Sequence, residues 1–114
     1  MRINFTARHF KASERLKEYA EKKVQRLKKY YDGIIDCEII LDYEKLKQIA
    51  EIAIKVFGQR LVAIEKSEDI YKSIDLAVDK LERQVKKFKE KLREHGKEKA
   101  TTIAFSDSMD NQEI

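Results

Sequence analysis

Lys80, Arg83, Lys87 and Lys91 recur at three- and four-residue steps. At helical pitch, ~100° per residue, that spacing sets four cations in one row. A row of this kind is poor material for acid–base or nucleophilic catalysis and good material for binding the phosphates of a polyanion. Lys22, Lys23, Arg26 and Lys29 make a second row upstream. Segment 80–93 holds seven basic residues against two acidic ones, and segment 11–29 holds eight against three. Residues 1–95 carry +6 and residues 96–114 carry −2, which accounts for the net +4 of the 114-residue chain.

Two ordinary effects explain part of this charge. Cations near helix C-termini gain ~0.3–1 kcal/mol each from the macrodipole. Glu18 with Lys22, Asp79 with Arg83 and Glu82 with Lys86 are four-residue pairs that contribute ~0.2–0.5 kcal/mol each without any ligand. Lys80 and Lys87 have no such partner, because Leu76 and Arg83 stand four positions before them. Lys87 even stacks on Arg83, an unfavourable pairing in an isolated helix.

The chain offers little else to chemistry. His9 and His95 are its only histidines, and neither has a Cys or carboxylate at metal-ligand spacing, so no metal is expected. Ser13, Ser67 and Ser73 lack a nucleophile-elbow context. Three glycines, Gly33, Gly58 and Gly96, cannot build a phosphate-cradling loop. An enzyme, a cofactor and a small-molecule substrate are therefore not expected. Cys37 is the single cysteine and lies in an apolar alternating run, so it reads as a buried thiol. No apolar run reaches the ~18 residues of a membrane span, and the N-terminus has no signal-peptide core. The expectation is a soluble, cytoplasmic, single-domain protein, monomeric away from its partner.

The elements that must carry the cations are legible from periodicity. Residues 2–8 alternate, with Ile3, Phe5 and Ala7 on one side. Ser13 can cap a helix running to about Tyr31 through Leu16, Tyr19, Ala20, Val24 and Leu27, stopped by Asp32-Gly33. Residues 34–43 alternate with Ile35, Cys37, Ile39, Leu41 and Tyr43 inward. Residues 47–57 form a third strand with Ala50, Ile52, Ile54 and Val56 inward. Gly58-Gln59 signals a turn, and 60–66 is a fourth strand whose inward face is either Leu61/Ala63 or Val62/Ile64. Ser67 can cap a last helix carrying Ile70, Ile74, Ala77, Val78, Leu81, Val85, Phe88 and Leu92 on one stripe, with Gly96 just past its end.

The order β-α-β-β-β-α implies an α+β, two-layer sandwich: a four-stranded sheet, with strands 2 to 4 as an antiparallel meander and both helices on one face. Side by side, the helices would join their outer surfaces into one basic face. Residues 1–95 form the domain, and 96–114 read as a flexible C-terminal tail in which Ile103, Ala104 and Phe105 could dock. A flat helix pair matches no major-groove reading head, so RNA is expected over DNA. Exposed aromatics among the cations are few, which favours phosphate contacts over base stacking.

The run Asp69-Ile70-Tyr71, Ile74-Asp75, Asp79-Lys80-Leu81-Glu82-Arg83-Gln84-Val85, Lys89-Glu90-Lys91 resembles the signature helix of the ribosome hibernation factors, the family of hibernation promoting factor and of the ribosome-associated inhibitor called protein Y. Leu16, Tyr19, Lys23, Leu27, Lys29 and Tyr30 agree in the first helix, and Ile3-Asn4-Phe5-Thr6 in the first strand. The resemblance covers about residues 1–95. It implies the same β-α-β-β-β-α fold. It also implies binding in the groove between head and body of the small ribosomal subunit, alone or in the intact ribosome, where the mRNA channel and the A and P tRNA sites are blocked under stress or in stationary phase. The matching positions for ribosomal RNA are Lys23, Arg26 and Lys29 on the first helix and Lys80, Arg83, Gln84, Lys87 and Lys91 on the second. Long members of the family add a ribosome-dimerising domain, which the stretch up to Ile114 does not hold. Among short members, the segment Lys97–Phe105 followed by acidic residues is more like the type whose tail follows the mRNA path and prevents dimerisation.

Two other readings compete. A double-stranded-RNA domain has a related core, but its phosphate-binding lysines cluster where this chain has Glu68, Asp69 and Asp75. A protein-interaction module of the sigma-modulator kind would carry the same cations as a merely solvated surface.

Overall fold

The computed structural model describes residues 1–98, with side chains as far as Arg93. β1 (Arg2–Arg8) leads to α1 (Glu14–Gln25) and a 3-10 turn (Arg26–Lys29). β2 (Asp36–Glu44), β3 (Lys47–Val56) and β4 (Gln59–Ser67) follow, and then α2 (Ile70–Glu98). The sheet order is β1-β2-β3-β4, with β1 parallel to β2 and the other two pairs antiparallel. The α+β sandwich expected from periodicity is the architecture found.

The core forms where one face of each element meets. Cys37, Ile39 and Leu41 of β2, Ala50, Ile52, Ile54 and Val56 of β3, and Leu61 and Ala63 of β4 are buried. Leu16, Ala20 and Val24 of α1 and seven apolar residues of α2 close over them in one cluster. Both helices therefore cover the same sheet face. Register decides the fourth strand: Ile52 faces Ala63 and Ile54 faces Leu61, so Leu61/Ala63 point inward and Ile64 is left exposed. A side chain such as Leu81 or Ile74, fully buried, gives ~1.5–3 kcal/mol from desolvation.

Several boundaries differ from the periodic reading. The first α-helix stops at Gln25, and the chain tightens into the 3-10 turn before Tyr30. Three residues per turn keep Leu27 buried while Arg26, Lys28 and Lys29 stay outside. Ile35 is exposed and Ile34 is buried in its place, because β2 begins only at Asp36 and the alternation does not extend upstream. Tyr43, also read as inward, is 41% exposed and packs on Phe10 at 4.5 Å between ring centroids. Phe57 is not the last residue of β3 but sits in the two-residue turn with Gly58.

At the start of α2 the cap is Asp69, not Ser67. The Asp69 carboxylate accepts from the Tyr71 N–H at 2.9 Å and its carbonyl accepts from the Ser73 N–H. Gln48 of β3 accepts from the Ile70 N–H through Oε1 at 2.9 Å, and the buried Ser73 hydroxyl donates to the Gln48 carbonyl at 2.7 Å. Ser67 instead braces the approach, its Oγ accepting from the Asp69 N–H. Gly96 lies within α2, which is described to Glu98; a glycine costs a helix ~1 kcal/mol but does not have to end it. The tail from residue 99, with Ile103, Ala104 and Phe105, lies outside the described residues.

Candidate nucleic-acid interface

The apolar stripe of α2 is spent on the sheet, so its remaining surface divides by neighbour. One flank meets α1 and the 3-10 turn. Tyr71 stacks edge-on against Tyr19 at 4.9 Å, and Asp75 accepts from the Tyr19 hydroxyl at 2.6 Å. Lys23 reaches the same Asp75 carboxylate at 3.3 Å and lies 5.7 Å from the Tyr19 ring centroid. Further along, Lys86 pairs with Glu82 at 3.2 Å and sits 4.8 Å from the Tyr30 ring centroid.

These seam groups are tuned by their neighbours. Burial pushes the Tyr19 hydroxyl up to about 12, and the hydrogen bond to Asp75 and its charge add to the effect. Burial alone would raise the Glu82 carboxyl; hydrogen bonds from Lys86 and Tyr30, helped by the charges of Lys86 and Arg26, outweigh it and hold Glu82 below the usual range.

The other flank of α2 meets β4. Lys80 pairs with Glu65 at 3.6 Å, a partner supplied by the strand rather than by its own helix. The Gln84 side chain donates from Nε2 to the Val62 carbonyl at 3.1 Å. That amide satisfies a group on the edge strand, so the placement of Gln84 fixes α2 against the sheet. Lys91 is half-buried, while Arg83 and Lys87 are exposed.

The eight residues singled out from sequence are therefore not equivalent. Arg26 and Lys29 on the 3-10 turn, and Arg83 and Lys87 on α2, present their charge to solvent. Among the described residues, Arg26, Lys28, Lys29 and Arg83 form no ion pair; of the four-residue pairs expected from spacing, Glu82–Lys86 forms and Asp79–Arg83 does not. Lys23 and Lys80 are partly neutralised by Asp75 and Glu65. The helices do lie side by side, yet Asp75 and Glu82 stand in the seam between them. The cations thus form two rows separated by an acidic and aromatic strip. Lys28 was not among the candidates, yet it is exposed on the same 3-10 turn as Arg26 and Lys29.

Among the described residues no group of three or more His, Cys, Asp or Glu could hold a metal ion, and no helix is long and apolar enough to cross a membrane.

Residues 3–93 match the Sigma 54 modulation protein / S30EA ribosomal protein family. The chain belongs to that family. Among similar proteins, the Ribosome hibernation promoting factor of Azotobacter vinelandii is 40% identical over 91 residues, covering 80% of this chain and 85% of that protein. Its counterpart in Escherichia coli K12 is 33% identical over 95 residues, covering 83% of this chain and all of that protein. A ribosomal subunit interface protein from Coxiella burnetii superposes with a TM-score of 0.75 at 37% identity, over 79% of this chain and 99% of that one. The N-terminal domain of Thermus thermophilus Protein Y gives 0.73 at 36% identity, over 77% and 99%. As an S30EA family member the chain has the expected sheet and helix pair, and its charged rows lie within the matched span.

Proposed function

We propose that this protein is a ribosome-associated hibernation factor, a non-enzymatic translation inhibitor of the cytoplasm. It lays its helical face on ribosomal RNA of the small subunit, alone or within the intact ribosome, and so blocks the mRNA and tRNA sites. The observation that carries the reading is the set of exposed cations Arg26, Lys28, Lys29 and Arg83, which have no ion-pair partner among the described residues and stand on elements whose apolar faces are used up in the core. Exposed charge outside any ion pair, on a rigid support, suits a polyanion. The names of the relatives, ribosome hibernation promoting factor and ribosomal subunit interface protein, support the choice of polyanion.

In this reading Arg26, Lys29, Arg83 and Lys87 make direct phosphate contacts. Lys23 and Lys80 exchange a carboxylate for a phosphate on docking, and Lys91 extends the α2 row. Gln84 holds α2 in place.

The test is sedimentation of small subunits and intact ribosomes with the native protein and with the triple variant Lys80→Ala, Arg83→Ala, Lys87→Ala. All three side chains lie off the apolar stripe, and losing the partly exposed Lys80–Glu65 pair costs at most ~1 kcal/mol, so the variant folds. Its affinity is expected to fall by at least about tenfold at moderate salt. Undiminished co-migration of the variant would remove the helical face from the interface. No co-migration of the native protein would leave the interaction-module reading.

A further inference from the structure

The β3–β4 hairpin carries a feature that the helical face does not explain. Val56 pairs with Gln59, leaving Phe57 and Gly58 as a two-residue turn. Such turns normally hold Asn, Asp or Gly, which suit the backbone and the solvent. Gly58 meets that need with φ +82°. Phe57 does not: its side chain is 77% exposed at the tip. Just behind it Lys55 and Arg60 are direct cross-strand partners. Like charges in that position are destabilising. Arg60 finds Glu38 at 3.4 Å, while Asp36, the other neighbour of Lys55, is taken by Arg2 at 3.1 Å. The tip is thus an exposed aromatic ring flanked by two crowded cations on a turn too short to flex far.

The hairpin tip lies at the end of the sheet where the 3-10 turn also stands, with Lys55 and Arg60 on the sheet face opposite the helices. The chain leaving the 3-10 turn passes through Ile34 to Ile35, whose N–H donates to the Lys55 carbonyl at 2.8 Å. Lys28 and Lys29 therefore stand at the same end of the sheet as Lys55, Phe57 and Arg60.

We propose that this hairpin is a second RNA contact, in which Phe57 stacks on one unpaired base and Lys55 and Arg60 take the flanking phosphates. The proposal rests on the ribosome reading for the source of the RNA, and it adds a stacking site at the end of the sheet to contacts otherwise made by charge on the helices. A ring face and paired cations match the two chemical faces of a single-stranded nucleotide. A lipid surface or a protein pocket would also use the ring, so oligonucleotide and vesicle titrations are needed to separate them from RNA.

The experiment varies aromaticity first and the partner second. Phe57→Ala, Phe57→Leu and Phe57→Trp all change an exposed side chain, so each is expected to fold like the native protein. The Ala and Leu variants should lose on the order of tenfold or more in small-subunit affinity, and the Trp variant should keep it. Native-like affinity of the Leu variant overturns the proposal in favour of a merely apolar contact. The Trp variant also gives a readout without ribosomes. Its fluorescence should be quenched saturably by a decauridine oligonucleotide at low salt, and less so when Lys55→Ala and Arg60→Ala are added. No quenching, or a blue shift with phosphatidylglycerol vesicles in its place, overturns the RNA assignment. Should the native protein fail to bind subunits at all, the ribosome reading falls, and the oligonucleotide titration still decides what the hairpin takes.

Discussion

Tyr19 donates its phenolic proton to Asp75 across the α1–α2 seam, and Lys23 shares the same carboxylate. The neutral phenol is therefore favoured by folding, with its pKa raised to about 12. Its contribution is fully present below the ordinary tyrosine value of ~10 and is lost as pH rises from there through about 12. Tyr19→Phe should flatten the decline in stability over that alkaline window, as read by denaturant titrations at several pH values. Asp42 on β2 gives the opposite sign. The His9 ring, 2.7 Å away, holds its carboxyl below the usual range, so its contribution exists above the usual carboxylate value and is lost as pH falls through the depressed one. His9→Ala should move the Asp42 titration, followed by carboxyl NMR, back up. Cys37 is legible from sequence alone as a buried thiol. It is fully buried, and burial followed by the Glu38 charge pushes it up to about 12.

At the scale of elements, the start of α2 is built from three segments at once. Asp69 caps, Gln48 reaches over from β3, and Ser73 returns a hydrogen bond to Gln48. Asp69→Ala should cost ~0.5–2 kcal/mol in global stability by chemical denaturation, with ribosome binding unchanged because the cations are untouched. Gly58→Ala has free space for its Cβ, since nothing lies within 4 Å. The positive φ still strains any L side chain, so a loss of ~1 kcal/mol is expected despite the room. Periodicity found all six major elements, because each has one apolar face with a clean period. It misplaced the cap and the end of α1, because capping depends on which oxygen reaches which N–H. The switch to 3-10 geometry after Gln25 leaves no distinct mark in the residue types.

For the whole molecule, the arrangement of charge sets the expected response to salt. If the two rows flanking the Tyr19–Asp75 seam both engage RNA, log affinity should fall linearly with log salt, by ~0.7–0.9 for each phosphate contact. Removing Arg26 and Lys29 together should reduce that slope by about two contacts. Removing Arg83 and Lys87 should do the same, and the two effects should add, because the two pairs stand on separate elements. A slope unchanged by either pair would place the contacts elsewhere on the surface.

Sequence by itself determined the element order, the buried stripes and the two concentrations of cations, because burial and helix formation are written in residue period and type. It also carried the family resemblance, through the run from Asp69 to Lys91. Tertiary structure decided which cations are available. Lys80 has no acid one turn before it, yet Glu65 of β4 lies 3.6 Å away. Gln84, one residue after Arg83, turns to the Val62 carbonyl, and Asp75 claims Lys23 from across the seam. The exposure of Phe57 likewise depends on the register that pairs Val56 with Gln59. Such partners lie on other elements, at separations no periodicity encodes, and only packing brings them within ion-pair or hydrogen-bond distance.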